Sequence, residues 1–238
     1  MPGVFITIEG IDGSGKTTQT HLLVAWLLGL GYNVCATREP GGTSAGERIR
    51  EVVLSREWPI PAEAELFLYL ADRSIHVSQL LRPALAAGDV VVCERYSDST
   101  IAYQGYGRGL DRGFLTRLNE VATGGLVPDL TLVLDVPADR ALRQAQHRLA
   151  KRLRGHFDQR GAAARLDEGR LDRLESEGQQ FLTRVAAGFG EIARAEPGRV
   201  KMVDGSGAVG EVHSAMVAEV QRLLAARSAG ETRREGVR

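Results

Sequence analysis

Hydrophobic positions along the chain fall into two recurring patterns. Short, largely apolar runs occur at Val4–Ile8, Asn33–Thr37, Asp89–Cys93, Leu130–Val136 and Val200–Val203. Between them, apolar residues recur at helical spacing near Thr17–Leu30, Ala45–Leu54, Ala62–Ala87, Gly113–Ala122, Ala138–Leu153, Arg170–Ala195 and Gly210–Ala226. Several of the short runs are apolar throughout, which suits strands covered on both faces. The alternation predicts an α/β fold: a five-stranded parallel sheet with helices on both faces. Ligands of such sheets gather at the carboxyl ends of the strands, and the polar motifs of this chain follow strand ends.

Two stretches break the pattern. Residues 146–170 are crowded with arginine and small residues, including Arg148, Lys151, Arg152, Arg154, Arg160, Arg165 and Arg170. They read either as a solvated basic loop or as a lid that closes over a bound anion. Residues 227–238 lack an apolar stripe and are expected to fray as a disordered tail, which leaves residues 1–226 as a single domain.

The first strand runs into Gly10-Ile11-Asp12-Gly13-Ser14-Gly15-Lys16-Thr17-Thr18, which contains Gly-x-x-x-x-Gly-Lys-Thr from Gly10 to Thr17. A strand, a glycine-rich turn and a helix start in that order form a phosphate-binding loop, or P-loop. Glycines let backbone N–H groups turn toward phosphate oxygens. Lys16 is expected on the β- and γ-phosphates of a nucleoside triphosphate, and the Thr17 hydroxyl on Mg²⁺. Glu94-Arg95 follows the third strand. Glu94 is placed to hold Mg²⁺ through water, and Arg95 points into the crevice where the γ-phosphate would lie.

Composition narrows the class. The 238 residues suffice for one domain with a sizeable core, and 30 basic residues balance 30 acidic ones, so no global field draws the chain to nucleic acid or a membrane. No uncharged apolar run is long enough to span a bilayer. The N-terminus enters a strand without a signal peptide. Cys35 and Cys93 sit in runs that read as interior strands, as buried free thiols of a cytoplasmic protein.

Beyond the P-loop, Thr37-Arg38-Glu39-Pro40-Gly41-Gly42-Thr43, Tyr69…Arg73, Glu94-Arg95-Tyr96-x-x-Ser99, Ala102-Tyr103-Gln104-Gly105, Pro128-Asp129-Leu130-Thr131 and Leu171-Asp172-Arg173-Leu174-Glu175 occur in order. Together they resemble the bacterial thymidylate kinases, P-loop nucleoside monophosphate kinases that transfer phosphate from ATP to dTMP. The resemblance runs from Val4 to about Asp204 and implies a homodimer, formed through the helices at Ala62–Ala87 and Gly113–Ala122. It implies roles as well. Asp12 matches the loop carboxylate near the nucleotide 3′-hydroxyl, and Glu39 lies near the acceptor and the metal. Arg50 matches the arginine that grips the acceptor phosphate. Tyr69 matches the aromatic that stacks on thymine, and Arg73 the arginine that bonds the base. Thr100 and Gln104 match residues on the other pyrimidine edge. Tyr103 crowds the sugar where a 2′-hydroxyl would sit, and Arg95 bridges donor and acceptor phosphates. Gly13 and Ser14 stand where some relatives carry a catalytic arginine; the form without it draws one from the lid, with Arg170 the first candidate and Arg148 and Arg152 alternatives. Glu94 stands where aspartate is common.

A phosphate acceptor removes the need for a general base, because its second ionisation lies near pH 6, so in-line transfer requires no histidine. His76 reads as structural or exposed. Two other readings share part of the pattern. A deoxynucleoside kinase would use Glu39 as a base but leaves Arg50 without a phosphate to hold. A nucleotide-hydrolysing switch would need a guanine-reading Asn-Lys-x-Asp element, which does not occur.

Overall fold

The computed structural model describes residues 3–159, 173–174 and 177–235, with 148, 149, 151–159 and 230–235 described as backbone alone. Five parallel strands form one sheet: β1 (Val4–Gly10), β2 (Val34–Arg38), β3 (Val90–Glu94), β4 (Leu130–Asp135) and β5 (Val200–Asp204), in the order β2-β3-β1-β4-β5. β1 is central and buried along its whole length, pairing Ile6 with Val92 on one side and with Leu130 on the other.

Successive side chains of a strand point to opposite faces, and each face here is covered. Val4, Ile6 and Ile8 pack with Leu23 and Leu27 of α1 (Lys16–Gly29) and with Met216 and Val220 of α9 (Val209–Glu235). Phe5 on the opposite face packs with Val77, Leu81 and Tyr96. The remaining helices are α2 (Ser44–Leu54), α3 (Ala62–His76), α4 (Arg82–Ala87), α5 (Ser97–Thr100), α6 (Arg112–Thr123), α7 (Ala138–Gln159) and α8 (Gln179–Ala195).

Five departures from the sequence reading have physical causes or consequences. The long helix expected over Ala62–Ala87 widens into a π-helical turn at Val77–Leu81; Pro83 has no N–H to give to the carbonyl four residues back. Ser97–Gly107, which the hydrophobic pattern assigns to no element, is α5 followed by a π-helical segment, Ile101–Gly107. Packing against α8 overrides the local signal. A Cβ on Gly107 would lie 2.7 Å from the Phe181 ring, and one on Gly188 of α8 2.7 Å from the Tyr106 ring. Helix α7 continues to Gln159, so residues 146–159 of the expected lid are helical backbone. α9 runs past Ala226 to Glu235, with Arg227 bonded to Gly3 O at 2.7 Å and Asp129 at 2.8 Å. Cys35 is half-buried rather than interior, because β2 is an edge strand. Cys93 is buried, as expected.

Candidate active site

The carboxyl ends of the strands open on a cleft of about 1730 Å³. The P-loop enters from β1, Arg38-Glu39-Pro40 from β2, Glu94 and Arg95 from β3, and Gly205 to Val209 from β5. Arg140 and Arg143 of α7 face it from above the loop.

At the P-loop end the geometry is made by backbone. Gly10, Gly13 and Gly15 have φ of 134°, 86° and 94°, a region other residues rarely adopt. A Cβ on Gly13 would also lie 2.0 Å from Ala141 O. Ile11 is buried in the core and anchors the loop. Ser14 and Lys16 are buried, and Thr17 and Thr18 line the cleft. Lys16 Nζ donates to Ile11 O at 2.9 Å. Burial, and then the charge of Arg95, push its pKa down to about 8. Thr17 Oγ1 donates to Glu94 Oε2 at 2.9 Å, so a hydroxyl and a carboxylate converge beside the loop. Among the described residues no group of three or more His, Cys, Asp or Glu side chains could hold a metal. The Thr17–Glu94 pair suits an ion such as Mg²⁺, which keeps several waters and takes its other oxygens from phosphates.

Arg95 occupies the middle of the cleft in a left-handed conformation, φ 70°, with its N–H on Ile8 O at 3.0 Å. Its guanidinium donates to Gly10 O (3.1 Å), Ser99 Oγ (3.1 Å) and the Tyr103 hydroxyl (2.9 Å), and pairs with Asp12. The Tyr103 hydroxyl in turn donates to Asp12 Oδ2 at 2.8 Å. Burial pushes Asp12 up, but Arg95 and Lys16 outweigh it, and its pKa is lowered. Beneath this triangle Glu9, which the sequence reading passed over, accepts from Tyr96 N–H at 2.7 Å and Ser99 Oγ at 2.6 Å. Burial, and next the charge of Asp98, raise Glu9 to about 7.

The far end is a buried network of side chains. Arg73, only 1% exposed, donates from Nε to Glu39 Oε2 at 2.8 Å. Its Nη1 reaches Thr100 Oγ1 (2.8 Å) and Asn119 Oδ1 (2.6 Å), and Nη2 reaches Tyr96 O (3.0 Å). The other oxygen of Glu39 lies 3.0 Å from His76 Nδ1, and His76 Nε2 lies 2.7 Å from Thr37 Oγ1. Both Glu39 oxygens are thus taken up by protein groups. His76 is fully buried and belongs to this network. Arg50 Nη1 holds Pro40 O at 2.9 Å, Tyr69 lines the cleft and Gln104 Nε2 donates to Glu65 Oε1 at 2.7 Å. Asp72 accepts from Gly41 N–H at 3.0 Å, and burial followed by the charge of Glu39 raises it to about 7.

The cleft thus brings together Asp12, Lys16, Thr17, Glu39, Arg50, Tyr69, Arg73, Glu94, Arg95, Thr100, Tyr103 and Gln104. Arg170 lies outside the described residues, as do Arg160 and Arg165 and the side chains of Arg148, Lys151, Arg152 and Arg154. Sequence reasoning missed Glu9, Asp72 and Asn119, whose roles need the folded neighbours. It also missed the turn after β5, which the rule of carboxyl strand ends could have found.

The family model for thymidylate kinase matches residues 8–160. A thymidylate kinase of Solidesulfovibrio magneticus is 46% identical over 222 residues, 93% of this chain and 100% of its own. One of Leifsonia xyli subsp. xyli is 47% identical over 213 residues, 89% of this chain and 91% of its own. The crystal structure of thymidylate kinase from Ehrlichia chaffeensis superposes with a TM-score of 0.70 at 32% identity, covering 93% of this chain and 99% of that one.

Proposed function

Because the chain belongs to the thymidylate kinase family, we propose that it transfers the γ-phosphoryl group of ATP to the phosphate of dTMP, giving ADP and dTDP. The observation that carries the mechanism is Arg95, bonded at once to the P-loop through Gly10 O and Asp12 and to Ser99 and Tyr103 of the opposite wall.

Lys16 exchanges Ile11 O for phosphate oxygens when the triphosphate enters. The added negative charge offsets the burial that depresses its pKa. Arg95 faces the position between the two phosphates and neutralises the charge that spreads over the moving group. Arg50 holds the acceptor phosphate in line, Tyr69 stacks on the base, and Arg73, Thr100 and Gln104 meet its polar edge. The attacking oxygen is already deprotonated near neutral pH, so no side chain takes a proton. Thr17, and Glu94 through water, would hold Mg²⁺, which would supply further charge neutralisation on the phosphates. The deoxynucleoside kinase reading is set aside, since the family and the relatives are thymidylate kinases.

The test is ADP release from ATP and Mg²⁺ with dTMP, dUMP, thymidine or no acceptor. Turnover is expected to require a monophosphate and to favour dTMP. Turnover with thymidine but not dTMP, or equal turnover with no acceptor, would refute the assignment.

The reading includes a homodimer through α3 and α6, supported by the exposure of Phe67, Phe114 and Val121; sedimentation as a monomer at micromolar concentration would contradict it. It also places the enzyme in the cytoplasm, in keeping with two free cysteines, and recovery in the cytosolic fraction is the check.

A further inference from the structure

Gln104 sits in the π-helical segment on the acceptor wall, and its amide is held from behind. Its Nε2 donates to Glu65 Oε1 at 2.7 Å. Glu65 is fully buried and is paired through its other oxygen with Arg108 at 3.0 Å and Arg173 at 2.5 Å. A carboxylate between two guanidinium groups offers acceptors only. The nitrogen of Gln104 must therefore face Glu65, and the amide oxygen must face away from it. The carboxylate thus settles which way round the amide sits. Among the described residues Gln104 Oε1 has no hydrogen-bond partner in the protein, and the side chain lines the cleft.

Arg73 also lines the cleft. Four of the five guanidinium N–H groups of Arg73 are used by Glu39, Thr100, Asn119 and Tyr96 O, which leaves one N–H on Nη2. Donor and acceptor together match one kind of pyrimidine edge. A 4-keto pyrimidine carries an acceptor at O4 beside a donor at N3–H. A 4-amino pyrimidine carries the reverse, a donor at N4 beside an acceptor at N3. An amide free to turn over could serve either base; one pinned by a carboxylate serves the first.

We propose that Glu65 is a positioning residue for substrate specificity: by locking the Gln104 amide with its oxygen toward the base, it selects 4-keto over 4-amino pyrimidine monophosphates. The proposal rests on the reading of Arg73, Thr100 and Gln104 as the base site. A purely structural Glu65, serving only to neutralise Arg108 and Arg173, would affect both substrates alike, so the ratio between them is the informative quantity.

The experiment measures kcat/KM of the full chain for dTMP and for dCMP at saturating ATP and Mg²⁺, in wild type, Glu65→Gln and Glu65→Asp. A glutamine at 65 can donate as well as accept, which frees Gln104 to turn over. Glu65→Gln is expected to lower the dTMP:dCMP ratio by about tenfold or more, the worth of one buried hydrogen bond of the right sense. Glu65→Asp, which keeps the acceptor-only chemistry, is expected to restore most of that ratio. A Glu65→Gln variant that loses activity equally on both substrates would overturn the proposal while leaving the base site intact. A wild type that does not prefer dTMP over dCMP would overturn the base site and the proposal together. Should Glu65→Gln fail to fold, the wild-type protein decides. The Gln104 side-chain NH₂ resonance, identified by its absence in Gln104→Ala, is expected to exchange slowly with solvent before any nucleotide is added. Exchange at the rate of a free amide would overturn the proposal.

Discussion

At the P-loop end of the cleft, the groups that form the anion cradle belong to one continuous run, Gly10 to Thr18, and their geometry is set by three glycines with positive φ. At the far end the groups come from the turn after β2, from α2, α3 and α5, and from the π-helical segment, with Asn119 of α6 behind them, and most are already bonded to protein groups. The first site is a backbone cradle that any triphosphate fits. The second is a side-chain network whose few remaining donors and acceptors are fixed by the partners already satisfied. Affinity for phosphate can thus be built locally, whereas recognition of one base needs a folded interior behind it.

The largest effect that sharpens this contrast is expected from Lys16→Ala. It removes the one cation inside the cradle and should lower kcat by about a thousandfold, with KM for dTMP little changed and the melting temperature preserved. A large rise in KM for dTMP would mean the two ends are not separable as described.

Glu39→Gln probes the other end. The glutamine keeps some hydrogen bonding to Arg73 and His76 but removes the charge that holds the buried guanidinium. The expected result is a loss of about ten- to a hundredfold in kcat/KM for dTMP with KM for ATP unchanged, read by steady-state kinetics. An equal change in both KM values would break the comparison.

Glu9 lies under the wall between the ends and gives the smallest effect. Its folded pKa of about 7 stands above the ordinary 4.5, so the folded state keeps a proton that the unfolded chain has released. That contribution to stability is complete below pH 4.5 and is lost as pH rises to about 7. Asp72 adds a similar slope, from 3.8 to about 7. Glu9→Gln is expected to flatten the Glu9 part of the decline, measured as denaturation midpoints across that window. An unchanged slope would mean that Glu9 does not carry this cost.

How much could be read in advance follows the same division. The strands and the P-loop were legible because their signals are local: continuous apolar runs, and glycines at fixed spacing before a helix. The acceptor residues were placed by motif resemblance rather than by physics. Nothing in the local sequence tells that His76 is buried against Glu39, or that Asn119, in a helix forty-six residues from Arg73, completes its shell. Ser97–Gly107 carried no helical signal because the packing that makes it helical comes from α8, seventy-odd residues on.

Arg95, Asp12 and Tyr103 form a closed triangle, each bonded to the other two. Substitutions within it will not add, since removing any one member strips partners from both others. A mutational or evolutionary path that alters Asp12 of the P-loop therefore changes the footing of Tyr103 on the opposite wall in the same step. The P-loop and the opposite wall of the cleft are thus tied together through three side chains, and a redesign that treats them as separate modules will meet epistasis first at this point.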